Sequence, residues 1–222
     1  MKDSIQQIIE KRKISEILHF TSNHGLVGTL ATKYLLSRRA LPKNDHLAYI
    51  AAPTADKRQE AEDYFNKDQD WLDYINLSIS EINVNYFDFA TKWHNHKDDR
   101  WWVILSFSPE ILEHKGVHFT TTNNIYEHVN RAPFNEGLEK LFNDTIKRKG
   151  SWTAYRRERA SHLATCQQAE VLYPEQLDIA YLKAVYVRNG DEHDLVSGWL
   201  SYYNFENIDV IINEAKFLGQ PN

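Results

Sequence analysis

The polar residues of this 222-residue chain best placed to meet a ligand are His19 and Thr21, which close an apolar run, Arg58 in a charged stretch, and Glu170 ahead of Val171-Leu172. A carboxylate can stabilise positive charge that develops on a sugar and can take up a proton, while a guanidinium can clamp phosphate oxygens with paired N–H bonds. Nucleotide sites usually announce themselves by a glycine-rich turn between strand and helix or by a Walker lysine, and this chain has neither. A Rossmann mode of nucleotide binding is therefore disfavoured.

Two further groupings carry chemistry. Lys147-Arg148-Lys149 and Arg156-Arg157-Glu158-Arg159 concentrate positive charge on either side of Trp152 and Tyr155. Such a run reads either as the solvated end of a helix or as a surface for nucleic acid, where interleaved aromatics stack on bases. His94 and His96 with Asp98 and Asp99 suggest a metal site, but periodicity supplies no third ligand, and a polar loop accounts for them better. No metal is expected. Cys166 is the only cysteine, which excludes an intramolecular disulfide, fits a reducing compartment and reads as structural.

Net charge, -5, argues against a protein that coats nucleic acid non-specifically. The charged start of the chain has no signal-peptide core, and no run of eighteen apolar residues could span a bilayer, so a cytoplasmic protein without membrane contact is expected. Length and apolar content suit one domain over residues 1–222, acting as a monomer.

The elements that must position these residues follow from pattern. Ser4 and Gln7 have capping-box spacing ahead of Ile5, Ile8 and Ile9, which predicts a helix to about Lys13. Ile17 to Phe20 reads as a strand, Thr21 to Gly25 as a turn, and Leu26, Leu30 and Tyr34 as one helix face. Asp73 to Ile79 alternates as a strand, and Trp101 to Phe107 is apolar enough for a central one. Leu138, Leu141, Phe142 and Thr145 predict a helix running through the basic cluster to Gly150. Ala169 to Leu172, Leu182 to Val187 and Asp209 to Phe217 read as strands, with a helix from His193 to Tyr203. The uneven alternation predicts an α+β fold with a mixed sheet. On alternation alone, Glu170 is the solvent-facing member of an edge strand and His19 a hydrogen-bonded core residue.

Taken in order, Ile17-Leu18-His19-Phe20-Thr21, Leu35-Leu36-Ser37-Arg38, Asp73-Tyr74-Ile75 and Gln168-Ala169-Glu170-Val171-Leu172 resemble the DarT family of DNA ADP-ribosyltransferase toxins. The resemblance implies an ADP-ribosyltransferase-like split mixed β-sheet with surrounding helices, NAD as co-substrate, and a macrodomain antitoxin that removes the modification. It implies Glu170 and Arg58 as catalytic residues and His19, Thr21, Asn23, Arg58 and Tyr74 as contacts to NAD. Family members often carry an asparagine where this chain has Gly25, with Asn23 two positions earlier. Trp101 to Leu105 and Thr120 to Asn123 look more like the guanine-modifying branch than the thymine-modifying one. Within this resemblance, single-stranded DNA would meet Lys147, Arg148, Lys149, Trp152, Tyr155, Arg156, Arg157 and Arg159. Transfer to RNA or protein, NAD hydrolysis, and silent binding of ADP-ribose or nucleic acid are the alternatives.

Overall fold

A computed structural model describes residues 3–41, 71–93 and 100–219, so that Arg58 and the polar stretch from His94 to Asp99 lie outside the described residues. The chain opens with α1 (Ile5–Arg12), whose first turn is closed reciprocally: Gln7 N donates to Ser4 Oγ and Ser4 N donates to Gln7 Oε1. Such a cap stabilises a helix by about 1 kcal/mol. Ile8 and Ile9 then turn into the main core.

Strand β1 (Ile17–Ser22) runs two residues further than the sequence pattern suggests, and no turn follows it. Ser22 caps the next helix, α2 (Asn23–Thr32), by accepting from Gly25 N at 3.2 Å. That helix ends earlier than expected, because Lys33 adopts a left-handed conformation and Tyr34 begins β2 (Tyr34–Leu36). Next come β3 (Tyr74–Ile79), α3 (Val84–Trp93), β4 (Trp102–Phe107), β5 (His118–Thr120) and β6 (Arg131–Pro133). The basic region departs most from expectation. Helix α4 (Phe134–Lys140) stops before it, and β7 (Thr145–Lys147) and β8 (Thr153–Tyr155) form a hairpin whose turn uses Gly150 at φ +60. The chain closes with β9 (Glu170–Pro174), β10 (Gln176–Asp178), β11 (Leu182–Val187), α5 (Gly190–Tyr202) and β12 (Asp209–Ile212). A 3-10 turn over Glu214–Phe217 takes the last part of the expected final strand.

The architecture is α+β. Eight strands form one sheet in the order β12-β11-β4-β1-β3-β9-β5-β6. It is mixed, with β11 and β12 parallel and the other pairs antiparallel. Strand β4 sits between β1 and β11, and its near-continuous apolar run is explained by burial of both faces: Val103, Leu105 and Phe107 enter the main core, Ile104 a second cluster with Leu18, Phe87 and Phe217. Each fully buried side chain of this kind contributes about 1.5–3 kcal/mol.

The seam between β1 and β3 is where the sheet opens. Strand β1 pairs with β4 along all six residues, but with β3 only through Ile17–Ile79 and Leu18–Ser78. Beyond Leu18 the two half-sheets part. Just before the seam, Glu16 gathers donors from distant elements: Ser106 Oγ and Tyr186 OH each lie 2.9 Å from its Oε2, and Lys216 Nζ pairs with Oε1. Burial, and then the neighbouring Glu16 carboxylate, push the Tyr186 hydroxyl up to about 12. Removing the carboxylate leaves a largely enclosed lysine without its charge partner. Glu16→Ala should therefore lower stability by about 3 kcal/mol, read as a lower urea midpoint at unchanged slope; an unchanged midpoint would show that solvent screens the pair.

Candidate active site

Where β1 leaves β3, the exposed backbone of β3 is met by a side chain. His19 Nδ1 lies 2.9 Å from the carbonyl oxygen of Asn76, which can only accept, so Nδ1 carries the proton. Burial holds the His19 pKa below its ordinary value, and the Asn76 carbonyl acts the other way. The ring is thus neutral near pH 7, with Nε2 able to accept a hydrogen bond.

The side chain of Asn76 turns to β9, the strand paired with β3 on the side away from the opening. Its Nδ2 donates to Glu170 Oε1 at 3.0 Å. Strand β9 lies between β3 and β5, so Glu170 is not on an edge and does not face solvent; it is 7% exposed. The expectation from alternation fails because β5 and β6 are added outside β9, and a strand's place in a sheet cannot be read from its own residues. The second carboxylate oxygen accepts from Asn124 N at 2.8 Å. Asn124 is itself held by Arg131, whose Nε and Nη2 donate to its side-chain and main-chain oxygens. Asn124 Nδ2 is buried and has no hydrogen-bond partner among the described residues.

Burial raises the Glu170 pKa, while the bonds from Asn76 and Asn124 and the positive charges of Arg38 and Arg131 lower it. Arg38 also donates to Tyr86 OH at 3.2 Å. The site is therefore a buried carboxylate with both oxygens fixed, two guanidiniums within electrostatic reach, and a neutral imidazole across the seam. Fixed donors of this kind suit chemistry in which positive charge builds up beside a carboxylate.

The other expected site residues fall in three places. Tyr74 lies two positions from Asn76 on the same face of β3, against His118 at a ring separation of 5.8 Å. Thr21 turns toward α2, where a Cβ at Gly25 would stand 2.0 Å from its Oγ1, so Gly25 is required for this approach. Asn23 is buried, and its Oδ1 accepts from Trp101 N at 3.4 Å. In the basic region, Lys147, Lys149, Trp152, Tyr155 and Arg157 are exposed on the hairpin and the turn after it. Arg148 donates to Gln168 Oε1, with its Nη2 at 2.7 Å. Arg156 and Arg159 are turned inward: Arg156 donates to the carbonyls of Leu163 and Ala160, and Arg159 pairs with buried Glu81 and donates to Ala164 O. These two guanidiniums are engaged in building the loop ahead of Glu170.

Asn76, Asn124, Arg38 and Arg131 surround Glu170 without having been singled out in sequence. Asn76 had a signal, as a polar residue in register with Tyr74 on an alternating strand; Asn124 acts through its backbone and had none. Among the described residues no group of three His, Cys, Asp or Glu side chains could hold a metal ion, and no helix is long and apolar enough to cross a membrane.

The profile of a family described as "ssDNA thymidine ADP-ribosyltransferase, DarT" matches residues 18–218. The chain belongs to the DarT family of ADP-ribosyltransferases. Its structure is similar to that of DarT from Thermus sp. 2.9 in complex with ADP-ribosylated ssDNA, at a TM-score of 0.64 and 16% identity over 97% of this chain and 99% of that one. The Thermus protein in complex with carba-NAD+ gives 0.62 and 16% identity, over 92% and 98% of the two chains. DarTG of Thermosipho africanus in complex with ADP-ribose gives 0.61 and 15%, covering 94% of this chain. The chain spans about half (52%) of that longer protein. At these identities the likeness is one of fold, and it bears out the split mixed sheet. No curated protein matches the chain in sequence.

A carboxylate whose pKa is raised by folding binds its proton more tightly folded than unfolded. Its contribution to stability is then most favourable at low pH and declines as pH rises from the ordinary value of 4.5 through the raised one. Glu170→Gln should accordingly melt at a higher temperature than the parent at pH 7, with the gap closing as pH approaches 4. A lower melting temperature at pH 7 would show that the four stabilising groups outweigh burial.

Proposed function

We propose that this protein transfers ADP-ribose from NAD to a base of single-stranded DNA, with guanine as the base. The observation that carries the reading is the placement of Glu170 at the opening of the sheet, enclosed and held at both oxygens, in a member of the DarT family. The Thermus relative's structures with NAD+ and with ADP-ribosylated ssDNA support the same donor and acceptor class here.

In the reaction the bond from ribose C1′ to the nicotinamide nitrogen breaks, and its electron pair leaves with nicotinamide. The ribose gains oxocarbenium character, as a sugar does in glycoside hydrolysis. Glu170 stabilises that charge, and a base nitrogen then bonds to C1′ and gives up a proton for which Glu170 is the acceptor. His19 Nε2 accepts from a ribose hydroxyl, and Tyr74, Thr21 and Asn23 complete the NAD side. Arg58 is the proposed catalytic arginine at the pyrophosphate, and the position of Arg38 near Glu170 makes it a second cation for the same task.

Guanine is favoured by the character of Trp101 to Leu105 and Thr120 to Asn123. Thymine is the second reading, favoured by the description of the matching family. We further read the protein as the toxin of a toxin-antitoxin pair, monomeric, cytoplasmic and held in check by a macrodomain antitoxin, a reading supported by the likeness to DarTG.

Incubating the full chain with labelled NAD and oligonucleotides that each lack one base should label only guanine-containing DNA. Label confined to thymine-containing DNA would replace guanine by thymine. Label on RNA or protein alone, or nicotinamide release without transfer, would overturn the DNA reading. Glu170→Gln should slow transfer by roughly 10²- to 10⁴-fold, the span of a positioned general base.

A further inference from the structure

We propose that the exposed face of α3 bearing Tyr86 and Phe89, with Phe20 and Trp102 beside it, is a stacking surface for unpaired nucleobases flanking the target base. This rests on the single-stranded DNA reading above.

The surface lies on the side of the sheet where Glu170 lies. Residues opposite one another in paired strands share a face, and alternate residues of one strand do too. Leu18 pairs with Ser78, Phe20 with Ile104 and Ser22 with Trp102, so Leu18, Phe20 and Trp102 share a face with Ser78 and Asn76. Asn76 donates to Glu170 from that face. Helix α3 packs across it, and Phe87 is the ring that does the packing, 3% exposed and edge-on to Phe20 and Trp102 at 5.2 and 5.7 Å.

The neighbouring rings are not used up by the core. Tyr86 stands 5.8 Å from Phe20, and Phe89, three positions along the helix and so on the same side as Tyr86, is 57% exposed. Phe20, Tyr86 and Trp102 are all partly accessible. Exposed rings at this density have a use where flat apolar faces must be bound, and base stacking on aromatics is worth roughly five- to a hundredfold in affinity per base.

Positive charge lies at both ends of the strip. Arg38 bonds Tyr86 OH and acts on Glu170, which places the near end beside the reacting carboxylate. Toward the other end of α3 Lys92 is exposed, three positions beyond Phe89. Rings flanked by cations match the repeating base and phosphate of a single strand. The β7–β8 hairpin pairs ring and cation in a comparable way, with Arg148 joining Trp152, 5.8 Å from its ring, to Gln168.

The test is fluorescence anisotropy with a labelled single-stranded oligonucleotide and the full chain carrying Glu170→Gln. Phe89→Ala, and Phe89→Ala with Tyr86→Ala, should weaken binding by roughly five- to a hundredfold. Tyr86→Phe, which keeps the ring, should bind close to the parent level. An oligonucleotide of abasic residues, which keeps the phosphates, should bind parent and variants alike. Unchanged affinity for the base-bearing strand, or an equal loss on the abasic one, would overturn the surface. Transfer of label by the chain with native Glu170, alongside unchanged binding by the double variant, removes the surface and leaves the reaction standing. DNA binding that depends on these rings, with no transfer of label to any DNA, supports the surface and removes the reaction.

Discussion

Everything at the site follows from one departure from regular pairing, the separation of β1 from β3 after Leu18. A continuous sheet would satisfy the backbone of Asn76 with β1 and leave no space between them. Because the strands part, the Asn76 carbonyl takes the His19 ring as donor, while the Asn76 side chain reaches Glu170 on β9, the strand paired with β3 on its other side. The Asn76 carbonyl, left without a ladder partner, is met by the ring of His19 in place of a strand. One asparagine thereby couples the two half-sheets and fixes the carboxylate with the same few atoms.

Glu170 shows what that arrangement costs and how it is offset. A carboxylate enclosed among apolar strands is unfavourable when ionised, and its pKa is raised for that reason. Opposing this are the Asn76 amide, the Asn124 backbone N–H, and two arginines whose charge is felt from a distance. Arg131 holds Asn124 in place for that contact by both its side-chain and its main-chain oxygen. The strand that supplies Arg131, β6, is the last of the sheet, so its outer margin reaches the site through that guanidinium and through Thr120 of β5, which pairs with Glu170. Positions that stabilise a fold rarely coincide with positions that hold a charge ready, and here the sheet margin supports the one while the seam provides the other.

What was legible in the sequence was local. The run from Trp101 to Phe107 marked a central strand because both its faces are buried, and Ser4 with Gln7 marked a helix start because a cap is a contact over three residues. The basic region misled for a physical reason. Leu138, Leu141 and Phe142 keep helical spacing, yet α4 ends at Lys140, and the buried Leu141 and Phe142 belong to the turn beyond it. In Thr145-Ile146-Lys147 the alternation is a single buried residue between exposed ones, too short to outweigh a preceding helical pattern. The inward turn of Arg159 depends on Glu81, and that of Glu170 on strands added from elsewhere, and neither partner is written in the neighbouring residues.

The arginines, finally, divide by what surrounds them, and this constrains how an acidic protein can hold DNA. Arg131, Arg156 and Arg159 are occupied with carbonyls, amides and carboxylates of the chain itself. Arg38 and Arg148 each join an aromatic residue to the surroundings of Glu170. Among the described residues the exposed cations include Arg38, Lys147, Lys149 and Arg157. Affinity that rested on charge alone would need many such contacts and would be steeply dependent on salt. On the single-stranded DNA reading proposed above, a net charge of -5 and the exposed rings of Phe89, Trp152 and Tyr155 favour stacking over phosphate contacts as the source of binding. Such a balance selects strands whose bases are unpaired, because a duplex hides the faces on which this surface depends.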